Sequence, residues 1–332
     1  MDKSIISSIV NAIDAPKSKG NIAEFSDPSY KPVPLSKGNF HPIGKAEQSS
    51  SKIVFIDGGN AEILKSYDFS LQLIRVASVV YSNNKRISSD VKECFVLTKA
   101  VKKEDSISYE ATFFNIQKGP LSYDSFDSTI RQGKHRIAIS AIAGVIRRLM
   151  EIELAKEAAD KLSKGDIIVL DGDLKTSVTK EKEYLEALFS KVTEKDINLS
   201  ALSKSSEIYT DTGFSLFSAI EDISPDTQWF YHPLVEARDA PDILIVKLNK
   251  NSNFIFKLEL LGSKPGEVLK MLADNSRDPV FPGYPYGLIE ADKLARVSNS
   301  ERDYYKTIFL SRLDKAIKID QNAHSILDRI SF

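Results

Sequence analysis

Two short apolar runs in this chain end in the same way, and the coincidence constrains the fold more than any other feature. Lys52-Ile-Val-Phe-Ile-Asp57-Gly58-Gly59 and Ile167-Ile-Val-Leu-Asp171-Gly172-Asp173-Leu174 each read as a buried strand that stops at a carboxylate. Taken singly, either run is an ordinary turn, because Asp tolerates turn geometry and Gly supplies positive φ. Side by side in one sheet, the two strands bring Asp57 and Asp171 together at one edge, where oxygen ligands can hold a hard cation.

The rest of the chain is compatible with such a sheet. Its 332 residues, 42% of them hydrophobic, can bury one elaborated domain or two modest ones. The longest nearly apolar run, 137–146, falls far short of a bilayer span, and the N-terminus lacks a secretory signal, so no membrane contact and a cytoplasmic location are expected. Cys94 is the single cysteine and reads as a packed thiol, which excludes thiolate clusters, and four histidines in all argue against a His-rich zinc site. Lys plus Arg number 45 against 46 acids, so the molecule as a whole does not attract nucleic acid, and any such contact needs a local basic surface.

Residues 1–50 read as a short amphipathic helix at 4–13 followed by a Pro-, Ser- and Lys-rich extended arm, and 51–332 as the folded body. The body opens with strands at 52–57, 71–81 and 92–101, a meander turning at Asn83-Asn84-Lys85. A long or broken helix is expected over 128–162, then a strand at 167–171, a helix near 180–193, a strand at 197–204 and a short helix near 213–221. A hairpin at 242–260 and helices near 265–274, 288–297 and 302–318 complete the chain. Strand alternating with helix predicts an α/β protein with a helical C-terminal part.

A third acid comes from the long helix. Its apolar residues Ile139, Ile142, Ile146, Leu149 and Met150 define a stripe, and Glu153 lies seven, four and three residues after the last three of these, near the stripe's middle. Glu151 follows Arg147 and Arg148 by four and three residues, which assigns it to the polar face as a surface ion pair. A carboxylate facing the core requires a partner: either a lysine or arginine in a structural ion pair, or a metal shared with Asp57 and Asp171. Glu157 lies near the same face and is an alternative to Glu153; Asp173 reads as a turn residue. On the metal reading, Asp57, Glu153 and Asp171 bind one or two Mg²⁺ or Mn²⁺ ions and hydrolyse a phosphodiester.

Further along, Leu202-Ser-Lys204-Ser-Ser206 and Phe281-Pro-Gly-Tyr284-Pro-Tyr286-Gly-Leu288-Ile-Glu-Ala-Asp292-Lys-Leu-Ala295 follow the two Asp-Gly runs in order. With these four motifs, from about residue 50 to 318, the chain resembles the NurA family of archaeal DNA-end-processing nucleases. The resemblance implies a ribonuclease H-like α/β core and a homodimer. It also implies Mn²⁺-favoured single-strand endonuclease and 5′ to 3′ exonuclease activity in double-strand break resection, with a hexameric HerA-type ATPase as partner. It further implies that the acids on the first strand, the long helix and the next strand bind metal, which maps onto Asp57, Glu153 and Asp171. Family members often carry a histidine after the Tyr-Pro motif; Asp292 stands here, a residue that can still ligate a hard cation. Lys204 is a candidate phosphate contact or a solvated strand end, and Tyr284 and Tyr286 either stack on unpaired DNA bases or form a rigid turn against the core. No nucleotide-binding glycine fingerprint is present, so ATP hydrolysis belongs to a partner. Two rival readings are a non-catalytic DNA-binding or helicase-adaptor subunit of the same fold, and a phosphoesterase for RNA or small phosphate esters.

Overall fold

A computed structural model describes residues 3–13, 19–46, 51–131, 133–204, 207–262 and 265–313. After the N-terminal helix α1 (Lys3–Ile13), two three-residue strands, β1 (Tyr30–Pro32) and β2 (Phe40–Pro42), precede a meander of long strands: β3 (Lys52–Lys65), β4 (Phe69–Ser82) and β5 (Lys85–Lys103). Asn83 and Asn84 both adopt positive φ and join β4 to β5, as a tight hairpin between right-twisted strands requires. The meander then continues through β6 (Ser106–Phe114) and β7 (Leu121–Asp124). The expected long helix is shorter than its pattern: a 3₁₀ turn at Ile139–Ala141 leads into α2 (Ile142–Asp160).

Two strands on the other side of β3 are parallel to it. They are β8 (Ile167–Asp171) and β9 (Asn198–Ser203), with α3 (Glu181–Glu194) crossing between them. Next come α4 (Leu216–Glu221), β10 (Trp229–Tyr231), β11 (Val235–Ala237), β12 (Asp242–Lys247) and β13 (Phe256–Leu261). Three helices close the described chain: α5 (Pro265–Asn275), α6 (Tyr286–Ala295) and α7 (Asn299–Arg312). The distal part of the helix expected over 302–318, beyond residue 313, lies outside the described residues, as do Ser205 and Ser206.

The main sheet runs β2-β10-β12-β13-β9-β8-β3-β4-β5-β6-β7. Its middle, β5-β4-β3-β8-β9, is an antiparallel meander of three strands extended by two parallel ones, the ribonuclease H-like arrangement. Alternation along β3 and β8 divides the core. Val54, Ile56, Ile168 and Leu170 pack with α2 and α3, whereas Ile53, Phe55, Ile167 and Val169 pack with α5 and α6. Burial on both faces explains why these strands read as continuous apolar runs. Cys94 is fully buried with its Sγ 3.6 Å from Met150 Sδ, a packed thiol as expected.

Residues 19–46 are extended and lie on the body. β2 pairs with β10, β1 pairs with β11, and Ala23 is fully buried. The sequence pattern missed β1, β2, β7, β10 and β11, each only three or four residues long, and also the nine-residue β6. Glycine sets the helix-to-sheet distance on the α6 side: a Cβ on Gly287 would run into the Phe55 ring. Gly287→Ala is therefore expected to lower stability by about 1–3 kcal/mol in denaturant melts through overpacking. Gly144→Ala, inside α2 with open space around it, should raise stability by about 0.5–1 kcal/mol.

Candidate active site at the strand ends

Ile56 and Leu170 form the last registered pair of β3 and β8, and Asp57 and Asp171 follow immediately on these parallel neighbours. By alternation both carboxylates project toward the α6 side. Asp57 is only 7% exposed, and its Oδ1 accepts the Gly58 N–H at 2.7 Å. Asp171 is more open; its Oδ2 accepts from the Lys204 ammonium at 2.7 Å and its Oδ1 from the Tyr284 hydroxyl at 3.4 Å.

The third acid at this edge is Glu151. A Cβ on Gly58 would collide with Glu151 Oε1, so glycine at 58 opens the space through which α2 delivers this carboxylate beside Asp57. Glu151 is 5% exposed and lies 3.7 Å from Arg147 Nε and 3.6 Å from Arg148 Nη1. Arg148 also binds Glu181 at 2.8 Å and donates to the Asp173 carbonyl. Glu181 in turn accepts from the Ser177 and Val178 amides at 2.7 and 3.2 Å, so the N-terminus of α3 braces the arginine that faces Glu151. Arg147 Nη1 donates to the Gly58 carbonyl at 2.8 Å.

The assignment of Glu153 to the sheet-facing position is corrected by this geometry. Its side chain is 39% exposed and bonded at 2.5 Å to Lys118, whose ammonium also lies over the Phe113 and Tyr184 rings. The fully buried line of α2 runs through Leu149, Ile152, Ala155 and Ala159; with the alanines included, Glu153 falls on its flank. Glu157 likewise pairs with Lys92. Both acids thus follow the structural ion-pair reading, with the lysines now identified.

Burial and the charges of Asp171, Asp57 and, from α6, Asp292 raise the Tyr284 hydroxyl, which reaches Asp171. Asp292 also pairs with Arg296 one turn along α6, at 3.0 Å. Tyr284 is 3% exposed and packs against Phe256, which removes it from base stacking. Tyr286 begins α6, half-buried with Lys293 5.8 Å over its ring. Lys204 is committed to Asp171 and stands 5.2 Å over the Tyr284 ring. The ion pairs of Glu151 with Arg147 and Arg148 are those expected from the sequence, but their carboxylate is buried and not at the surface, and the sequence did not single out Glu181. The available signal for Glu151 was the second residue of Asp57-Gly-Gly, a strand glycine that marks a close approach.

A cavity of about 440 Å³ is lined by Asp57, Glu151, Asp171, Asp173 and Glu181 together with Arg147 and Arg148, and Lys204 reaches Asp171. Burial, reinforced by the charges of Asp171 and Glu151, pushes Asp57 up to about 7. Burial also raises Glu151, against the pull of its two arginines. Among the described residues, no three His, Cys, Asp or Glu side chains form a ready-made metal-binding group. Asp57 and Asp171 reach this recess from the sheet, and Glu151 reaches it from α2.

Fold and site define the class first: a mixed-sheet α/β protein of ribonuclease H-like topology, with an acidic recess where the pairing of its two central parallel strands, β3 and β8, stops. The NurA domain profile matches residues 51–297, and the chain belongs to the NurA family. The NurA nuclease of Sulfolobus solfataricus has a similar fold, at a TM-score of 0.53 and 16% identity over 95% of each chain. Endonuclease V of Ciona intestinalis in complex with a 24-mer DNA aligns more loosely, at a TM-score of 0.37 and 12% identity over 79% of this chain and 89% of that one. The catalytic domain of human endonuclease V aligns at 0.38 and 8% identity, over 82% and 92%. No curated protein sequence matches the chain. Among the described residues, no helix is long and apolar enough to cross a membrane.

The raised Asp57 sets a pH dependence. Between its unfolded value near 3.8 and its folded value of about 7, the folded protein holds a proton that the unfolded chain has released, so stability falls as pH rises through that window. Asp57→Asn is expected to raise stability by about 1–3 kcal/mol at pH 8 and by much less at pH 5, read from thermal melts without added metal.

Proposed function

We propose that this protein is a divalent-cation-dependent DNA nuclease whose active centre is the recess holding Asp57, Glu151 and Asp171. The observation that carries the reading is the meeting of these three acids at one edge of a ribonuclease H-like sheet. Their donor chemistry fits the cation: every candidate ligand is a carboxylate oxygen, which suits Mn²⁺ or Mg²⁺. Burial, with the charge of Asp171 added, raises both Asp57 and Glu151, and a bound cation would compensate carboxylate charge held away from water. Asp57, Glu151 and Asp171 would hold the ion, which when bound supplies an activated water and charge stabilisation at a phosphate.

The chain's own residues have separable tasks. Arg148, clamped by Glu181, holds Glu151 in place. Lys204 neutralises Asp171 and, if displaced by a cation, would offer a point charge to the DNA backbone. The finer reading follows the family resemblance: cleavage of single strands and 5′ to 3′ trimming of duplex ends in double-strand break processing, as a homodimer working with a hexameric HerA-type ATPase.

A second reading is favoured by one observation. Because the Lys204 ammonium sits on Asp171 at 2.7 Å, a non-catalytic DNA-binding adaptor of the same fold is the competing assignment. Cleavage of labelled single-stranded and duplex DNA in Mn²⁺ separates the two. The nuclease reading expects wild-type activity that falls at least about 100-fold in Asp57→Asn and Glu151→Gln and stays within about threefold in Glu153→Gln. Wild-type protein that leaves DNA intact, alone and with the ATPase, would establish the adaptor.

A further inference from the structure

Next to the acidic recess the surface carries an aromatic patch that plays no part in the core. Phe254 and Phe281 come from different loops, yet their rings are parallel to within 3° at a centroid separation of 6.0 Å. They remain 56% and 46% exposed, and their neighbour Val280 is 88% exposed. Clustered apolar side chains left in water mark a binding surface more often than isolated ones do.

The two loops are fixed to each other. Ser252 is buried and accepts the Phe254 amide at 3.0 Å. Asn249 Nδ2 and the Gly283 amide both donate to the Ser276 carbonyl, at 3.1 and 2.9 Å. Gly283 has φ +97° and lies so close to Ser252 that a Cβ there would strike its hydroxyl. The rings are therefore held in place before any ligand arrives, which lowers the entropic cost of binding.

Their position links them to the chemistry. The Phe281 ring meets the Tyr284 ring edge-on at 6.2 Å, and the Tyr284 hydroxyl reaches Asp171. Lys204, over the other part of Tyr284, and the exposed Lys250 on the Phe254 loop supply positive charge alongside. Exposed rings beside lysines, one residue away from a carboxylate site, have the composition of a surface for unpaired nucleic acid: the rings take bases and the ammonium groups take phosphates. A duplex, whose bases are stacked on one another, offers the rings nothing.

We propose that Phe254 and Phe281 form a stacking platform for unpaired bases of a DNA strand entering the recess. This rests on the nuclease reading for the fate of the strand, but not for its binding. The test is fluorescence anisotropy in EDTA, so that no cleavage occurs, with a single-stranded oligonucleotide, the same length carrying abasic sites, and a blunt duplex. Wild type should bind the single strand at least about tenfold more tightly than the abasic strand. Phe254→Ala/Phe281→Ala should lose that difference, while Phe254→Tyr/Phe281→Tyr keeps it. A 2-aminopurine in the strand should be quenched by wild type and not by the alanine variant. Equal affinity for normal and abasic strands, wild-type binding by the alanine variant, or a change only in its oligomeric mass by light scattering would each overturn the platform. Loss of Mn²⁺-dependent cleavage in wild type with intact base-dependent binding would overturn the nuclease reading and leave the platform standing.

Discussion

The close approach of α2 to β3 at Gly58 is the contact on which the site depends. Only a residue without a side chain leaves room there for Glu151 beside Asp57. The recess is assembled from a strand on one side and a helix on the other, with Arg147 and Arg148 in its lining and the Lys204 ammonium on Asp171. The energetic consequence is a group of carboxyls held away from water and near one another, two of them driven above their ordinary range. Structure that a folding chain would gain by discarding has been retained at one place, which is characteristic of functional sites.

Around that place the packing is conventional. Alternation along β3 and β8 sends one set of side chains to α2 and α3 and the other to α5 and α6. The same alternation that builds the two cores aims Asp57 and Asp171 to one side of the sheet. Gly59 serves the opposite face as Gly58 serves its own: a Cβ at 59 would press on the Ala295 carbonyl at the end of α6. The Asp-Gly-Gly sequence is thus a carboxylate followed by two clearances, one for each flanking helix.

Much of this was legible in the residues. Two apolar runs ending in Asp-Gly located the point where β3 and β8 part, although β3 does not stop at Asp57 as expected but continues to Lys65, paired with β4; the strand–helix alternation located the parallel strands beside the meander. The third acid was not legible, because periodicity weighed large apolar residues and overlooked Ala155 and Ala159, which mark the true buried line of α2. Two arginines before Glu151 suggested a surface ion pair; in the fold they accompany it into the recess. Tyr284 illustrates the same limit: its motif stood out, but burial against Phe256 is a property of the hairpin at 242–261, distant in sequence. The exposed Phe254 and Phe281 belong to no periodic element, so only the packed loops reveal that they meet.

The central claim is that Glu151, with Asp57 and Asp171, makes the recess a site for a divalent ion. Anomalous scattering from crystals soaked in Mn²⁺ addresses it without reference to activity. A peak among the carboxylates of Asp57, Glu151 and Asp171, with the Lys204 ammonium displaced from Asp171, is the predicted result. A peak at Glu153, or none in the recess with Lys204 still seated on Asp171, would contradict the account.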